Sequence, residues 1–356
     1  MQQRFLPGAS DADFLSQCYR RILGREPDAE GFAHHLQALA GGLPREALVQ
    51  TFAASDEFAQ RFNAPPAAAP AAQGKFVPDG HFYSPLPAEE DWRARFDARA
   101  LPEPGPEEVN EAGQLALFAS FDRFYRELPF PADAAPSHRY HLNNGAFNYF
   151  DGIMLYCMIR HFQPRRIVEV GSGYSSAVML DTCDAFVPHP VELTFIEPYP
   201  ETLLGRLREG DAARCTVIAA KVQDVPLDAY RALGAGDILF IDSSHVAKFG
   251  SDLNHLLFRV IPLLADGVVV HFHDIFRNFD YPREWLAEGR AWNEGYLVRA
   301  FLMDNPDYEV LFFNDWFAHR HWDKLAERMP LCTVQPAGSP FRNCGVSLWL
   351  RKVGKT

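Results

Sequence analysis

Apolar residues at a spacing of four open the readable part of the chain. Phe14, Cys18 and Ile22, with Leu15, Tyr19 and Leu23 beside them, form one stripe, which predicts an amphipathic helix stopped by Gly24. Further helices fit Asp28 to Ala40, closed by Gly41 and Gly42, and Pro44 to Ala53, with a last turn starting at the N-cap residue Ser55. Residues 1–62 therefore read as a small all-α module. The tract NAPPAAAPAAQGK, residues 63–75, has too little apolar bulk to fold alone and reads as a semi-stiff linker. Residues 76–148 are rich in proline and aromatic side chains, with one helical stretch at Val109 to Arg126, and read as a lid or wrap over a larger domain.

From Tyr149 the pattern changes to strands alternating with helices. Strands are predicted at Arg166–Val170, Glu192–Glu197, Thr216–Val222, Asp237–Asp242, Val268–Asp274, Tyr308–Phe313 and Val346–Arg351. The first five are short apolar runs, as expected of parallel strands buried on both faces. Between the last two no helical pattern stands out, which predicts an antiparallel edge pair. The fold class expected for residues 149–356 is α/β, a doubly wound, seven-stranded, mostly parallel Rossmann-like sheet preceded by the small all-α domain. Such a sheet takes its ligand at the carboxyl ends of its strands, so the chemistry is sought where each strand stops.

Composition narrows the partners. With 46 acidic against 34 basic residues, a net charge of -12 and no dense Lys/Arg run, nothing suits a phosphate backbone, and nucleic acid is not expected. Neither a signal peptide nor an apolar stretch long enough to span a bilayer is visible, so a cytoplasmic protein is expected. The six cysteines are scattered, without CxxC pairs, and read as reduced core side chains.

The first strand runs into IVEVGSGYSS. Gly171, Ser172 and Gly173 let the backbone approach a ligand, and Ser175 and Ser176 can cap the helix that follows and offer hydroxyls. A dinucleotide loop would put a third glycine where Ser176 stands, and Glu169 would repel a pyrophosphate. The same acid suits a cofactor carrying ammonium and sulfonium charge, S-adenosylmethionine. Alone, the glycine motif fits a structural turn equally well. Glu197 ends the second strand and can accept both hydroxyls of an adenosine ribose, or simply be a solvated strand end. Asp224, after the third strand, is the candidate acceptor for the adenine amino group. The fourth strand ends in LFIDSSH, with Asp242 and His245. The fifth ends in HFHDIF, where alternation puts His271 and His273 on one face with Asp274 next.

The blocks NNGAFNYFDGIMLYCMIRHFQPRRIVEVGSGYSS, FIEPYP, GDILFIDSSHV, GSDLNHLLFRVIPLL, HFHDIF, YPREW and WNEGYLVRAFL together resemble the bacterial class I methyltransferases encoded with O-antigen and other polysaccharide genes, relatives of the macrolide-sugar O-methyltransferases. The N-terminal LSQCYRRILGREPDAEGFAHHLQAL resembles a bacterial domain family of unknown function. The first resemblance implies S-adenosylmethionine binding at Glu169 to Ser176 and at Glu197, with Asp242 beside it, and O-methylation of a sugar or glycan precursor. It also implies, from metal-dependent relatives, a divalent ion (Mg or Mn) at Asp242, His273 and Asp274. His273 stands where those relatives have an acid, and hard magnesium prefers oxygen.

A hydroxyl acceptor must lose its proton, to a metal-activated site or to a base among His245, His271, His273 and Asp274, each of which reads equally as a structural residue. Asn143, Asn144, Tyr149 and Asp151, with Trp292, Asn293 and Glu294, are candidates for an acceptor pocket or for helix packing. Two other functions compete: a non-catalytic cofactor-binding scaffold that docks to polysaccharide enzymes through its helical module, and a nicotinamide-dependent oxidoreductase. A small-molecule or glycan acceptor, a docking partner for the module and a homo-oligomer complete the expected partners.

Overall fold

The computed structural model describes residues 10–53, 55, 57, 76–335 and 345–354. The expected linker at 63–75, most of the turn after Ser55, and Cys344 lie outside them. Cys18, Cys157, Cys183, Cys215 and Cys332 are free thiols.

The N-terminal module is helical as the stripe predicts. Helix α1 (Asp11–Cys18) starts where the Ser10 side chain accepts from the Asp13 amide, and runs on as a π-helical turn to Gly24, whose φ of 67° ends it. Helices α2 (Ala29–Ala40) and α3 (Arg45–Ala53) close a separate small core of Phe14, Leu15, Ile22, Leu48 and Phe52. Leu204, from the larger domain, packs against this core.

The remaining helices of eight residues or more are α4 (Glu111–Tyr125), α5 (Tyr149–Phe162), α6 (Tyr174–Phe186), α7 (Glu294–Leu302) and α8 (Asn314–Arg328). Seven strands form one sheet: β1 (Arg166–Val170), β2 (Glu192–Ile196), β3 (Cys215–Ile218), β4 (Ile238–Ile241), β5 (Val269–Phe272), β6 (Tyr308–Phe313) and β7 (Leu348–Lys352). Their order is β3-β2-β1-β4-β5-β7-β6, with β7 antiparallel to both neighbours and the others parallel. This is the Rossmann-like methyltransferase fold. The pair β6–β7 is antiparallel, yet only β6 is at the edge: β7 inserts between β5 and β6.

Alternation along the strands divides the core between two faces. Ile167, Ile238, Phe240, Val269 and Trp349 meet α4, α5, α6 and α8 on one face. Val168, Val170, Leu239, Ile241, Val270 and Leu350 meet the helical turns of 253–264 and Val298 of α7 on the other. Helix α5 is buried at every position from Tyr149 to Ile159, which explains why Asp151 is the one charged residue in that stretch.

Segment 76–148 wraps the β6 edge. Gln114 accepts from the Phe313 amide at 2.9 Å, Asn110 donates to the Val310 carbonyl at 3.1 Å, and Trp316 Nε1 donates to the Pro104 carbonyl at 3.1 Å. The first two of these contacts occupy groups that an open strand edge would leave to solvent.

Three expectations need correction. A fifteen-residue helix, α8, joins β6 to β7 where no helix is predicted; its sequence NDWFAHRHWDKLAER is mostly polar, and non-helical backbone at His321 (φ -127°) breaks its period. Strand β3 stops at Ile218, and Val222–Asp224 is a 3₁₀ turn rather than strand. The helix after the glycine loop starts at Tyr174, with Gly173 as its N-cap, one residue before the expected serine start.

Candidate active site at the carboxyl edge of the sheet

Gly171 closes β1 with a φ of 85°, and a Cβ there would lie 1.6 Å from the Asp242 carbonyl oxygen. Only glycine lets the ends of β1 and β4 approach this closely, with the Asp242 amide donating to Val170 at 2.8 Å. Gly173, at φ -176°, has no such constraint. Ser175 Oγ donates to Glu169 at 2.5 Å, Ser176 Oγ donates to its other oxygen, and the Gly173 amide donates to Ser176 Oγ at 3.0 Å. Glu169 is thus fully buried under the first turn of α6, and burial pushes its carboxyl up to about 8 against the pull of the serine hydroxyls.

A cavity of about 520 Å³ opens beside this loop, lined by Gly171, Glu197, Tyr199, Lys221, Asp242 and Lys248 among others. Glu197 is held in shape by the amides of Ser172 (3.2 Å) and Tyr199 (2.8 Å), and burial raises its pKa. Ser243, which lines the cavity, has its side-chain oxygen buried without a hydrogen-bond partner. Asp224 is exposed and does not line the cavity; Lys221 and Gln223 of the same turn do.

Past β4 the chain turns through His245, whose φ of 59° is left-handed, as is that of Asp274 (57°) past β5. Strained backbone of this kind costs roughly 1–3 kcal/mol and gathers at functional sites. His245 Nε2 lies 3.5 Å from Asp242 and 3.4 Å from Asp274, and its Nδ1 lies 2.7 Å from Glu294. Its carbonyl accepts from the amides of Asn293 and Glu294, and Trp292 packs on its ring with centroids 4.3 Å apart. Burial opposes charge on His245, but Asp242, Glu294 and Asp274 together hold it well above the usual imidazole range. Burial likewise opposes charge on Asp242, which His273 and His245 nevertheless keep below the ordinary carboxylate range.

Donor atoms of Asp242, His245 and Asp274 lie within 4.8 Å of one another and suit a divalent cation, two oxygens and one imidazole nitrogen being a workable set. The structure thereby puts His245 where the sequence suggests His273. His273 Nε2 is 3.7 Å from Asp274, but its ring is buried beneath Phe147. His271 shares that face, as alternation requires, and is buried in the sheet, stacked on Phe240 at 3.7 Å and bonded to Ser347. Burial holds it well below the usual imidazole range.

The acceptor candidates before β1 make structural contacts and do not line this cavity. Asn144 pins the 141–147 loop, Asn143 bonds Asp133, Tyr149 is buried in α5, and Asp151 ties the start of β7 to α5 through Val346, Ser347 and Asn314. Glu294 and Asn293 orient the His245 loop, a role that nothing in the sequence signals.

Residues 1–62 match a family described as Domain of unknown function (DUF4214), and residues 168–275 match one described as Methyltransferase domain. An uncharacterised protein of Archaeoglobus fulgidus is 33% identical over 172 residues, 45% of this chain and 75% of that protein. Among solved structures, the O-methyltransferase TomG from Streptomyces achromogenes, involved in tomaymycin synthesis and in complex with SAM, is 18% identical, covers 74% of this chain and 98% of its own, and has a TM-score of 0.36. The SAH-bound methyltransferase PaMTH1 of Podospora anserina is 15% identical over 79% and 100%, TM-score 0.35. A methyltransferase from Geobacter sulfurreducens is 15% identical over 73% and 96%, TM-score 0.33. At such scores the strand order, rather than the likeness, carries the fold. The chain belongs to the family of the archaeal protein and, by the domain it carries, is an S-adenosylmethionine-dependent methyltransferase. No helix among the described residues is long and apolar enough to cross a membrane.

Proposed function

We propose that the protein methylates a hydroxyl of a small polar acceptor, a sugar or glycan precursor in surface-polysaccharide synthesis, using S-adenosylmethionine held at the carboxyl ends of β1, β2 and β4. The observation that carries this reading is the His245 cluster, set between Asp242 on the cofactor cavity and Asp274 at the end of β5. The bound cofactor supplies a methyl group on a sulfonium, an excellent leaving group, so the protein must chiefly align the acceptor and take its proton. Glu197 receives the ribose hydroxyls, and the lining, with Glu197, Asp242 and Asp252 against Lys221 and Lys248, favours a ligand with net positive charge. Glu294 fixes the His245 ring through Nδ1, and because the surrounding carboxylates keep that ring charged, the acceptor proton passes to the Asp274 carboxylate that the ring holds in place. A divalent cation held by Asp242, His245 and Asp274 would lower the pKa of the acceptor hydroxyl at the same place.

Calorimetry with S-adenosylhomocysteine and a labelled-methyl assay against glycan precursors test the reading. Glu197→Ala should weaken cofactor binding about 10- to 100-fold, through loss of hydrogen bonds to a charged acceptor. His245→Asn should cost about 100-fold in turnover with cofactor affinity unchanged. Chelator should abolish turnover if the cation is used and leave it intact if the pair acts alone. Absence of any homocysteine-cofactor binding would remove the reading altogether.

A further inference from the structure

The order of the sheet says which part of the cofactor lies on each side of Glu197. The strands run β3-β2-β1-β4-β5, so the reacting cluster past β4 and β5 is to one side of β2 and the turn after β3 is to the other. With the ribose hydroxyls on Glu197 and the sulfonium directed at Asp242 and Asp274, the base extends the opposite way, toward β3, one strand spacing of about 4.8 Å further on. The cavity continues there. Lys221, Val222 and Gln223 line it, together with Lys248 and Gly250 of the loop after β4.

The three residues of the 3₁₀ turn after β3 point three ways, as three residues per turn require. Val222 packs into the core, Asp224 is exposed and clear of the cavity, and Gln223 between them reaches the cavity wall. Its Nε2 donates to the Gly250 carbonyl at 2.7 Å. A primary amide carries a donor at one end and an acceptor at the other, and unconstrained it can present either. A carbonyl oxygen only accepts, so Gly250 fixes the nitrogen toward itself and leaves Oε1 as the atom offered to a ligand.

That anchor is itself held in place. Gly250 takes a left-handed φ of 70°, and the Lys248 carbonyl before it accepts from the Ser251 amide at 3.0 Å and from Asn254 Nδ2 at 2.9 Å. The amide of Gln223 is therefore oriented before any ligand arrives, and little ordering is left to be done on binding.

The neighbouring side chains sharpen the distinction. Lys221 and Lys248 carry donors only, and would serve a purine with an oxygen at position 6. A 6-amino group is itself a donor and needs an acceptor, which at this end of the cavity the fixed Oε1 supplies.

We propose that Gln223, rather than Asp224, reads the 6-amino group of the cofactor's adenine, its Oε1 accepting from that group because Gly250 pins the amide. The inference rests on the methyltransferase reading, in which Glu197 holds the ribose, and deepens it.

The test is calorimetry on the full chain with two probes that differ at position 6 of the purine, S-adenosylhomocysteine and S-inosylhomocysteine. The unaltered chain should bind the adenosyl compound about 10- to 100-fold more tightly, the cost of leaving a fixed acceptor facing an oxygen. Gln223→Ala should reduce that preference to about threefold or less, while Asp224→Ala leaves it as in the parent. Gln223→Glu, which still presents an acceptor, should retain it, and melting curves confirm that each variant is folded. Equal or tighter binding of the inosyl compound by the unaltered chain would overturn the proposal, as would a parental preference in Gln223→Ala or its loss in Asp224→Ala. The two readings fail differently: if neither compound binds, the methyltransferase reading falls, and if both bind alike, only this inference does.

Discussion

Replacing Gly171 by alanine puts a methyl group where the structure has none to spare. Its φ of 85° is left-handed, which costs an L residue roughly 1–2 kcal/mol. The added Cβ would also lie 1.6 Å from the Asp242 carbonyl oxygen, backbone that cannot swing aside as a side-chain end can. Moving β4 away stretches the 2.8 Å bond from the Asp242 amide to Val170 and leaves a buried pair unsatisfied, at about 1–3 kcal/mol. The two effects together come to roughly 2–5 kcal/mol, or on the order of 10 °C in melting temperature for a domain of this size, using about 2–4 °C per kcal/mol. Gly173→Ala is the matched control. Its φ of -176° suits any residue, and its Cβ would meet only Thr202 Cγ2 at 3.2 Å, so its melting point should fall by less than about 3 °C. Thermal melting followed by tryptophan fluorescence compares the three proteins, with cofactor calorimetry on each. If Gly171→Ala melts with the parent, the closeness of β1 and β4 does not constrain this loop.

Other consequences are open to measurement. Glu169 has a folded pKa near 8 against about 4.5 unfolded, so its contribution is fully present below 4.5 and is lost as pH rises through 8. Urea titrations should find Glu169→Gln gaining on the parent as pH goes from 5 to 8; a constant difference would place the carboxyl's titration elsewhere. Glu294→Gln weakens the hold on His245 and should lower kcat about tenfold or more with cofactor Kd unchanged, whereas a purely structural role would lower melting temperature and leave kcat alone. Removal of residues 1–62 should leave cofactor affinity within about twofold, because that module has its own core; loss of binding would show that its contact with Leu204 supports the loop after β2.

The parallel strands were legible because burial on both faces demands uninterrupted apolar runs, and β4 and β5 are buried at every residue. Helix α8 was not, since its buried residues Trp316, Phe317, Ala318 and Leu325 are set among charged, exposed ones such as Asp323, and the break at His321 spoils the helical period. Alternation correctly put His271 and His273 on one face, but could not say that this face is roofed by Phe147 and α5. His245 reaches Asp274 only through a left-handed turn and a clasp by Glu294, 49 residues away, and neither leaves a periodic trace in sequence.

The position of β7 inside the sheet sets an order of events during synthesis. Strands β5 and β6 leave the ribosome well before their shared neighbour, so each carries an unpaired edge until residues 348–352 arrive between them. The carboxylate of Asp151, made about two hundred residues earlier, waits for the amides of Val346 and Ser347 to seat that strand. Closure of the sheet is thus a strongly non-local step, slowed by loop entropy. A nascent or shortened chain lacking this segment presents two open β edges at once, a state prone to pair with other chains and a natural client for chaperones.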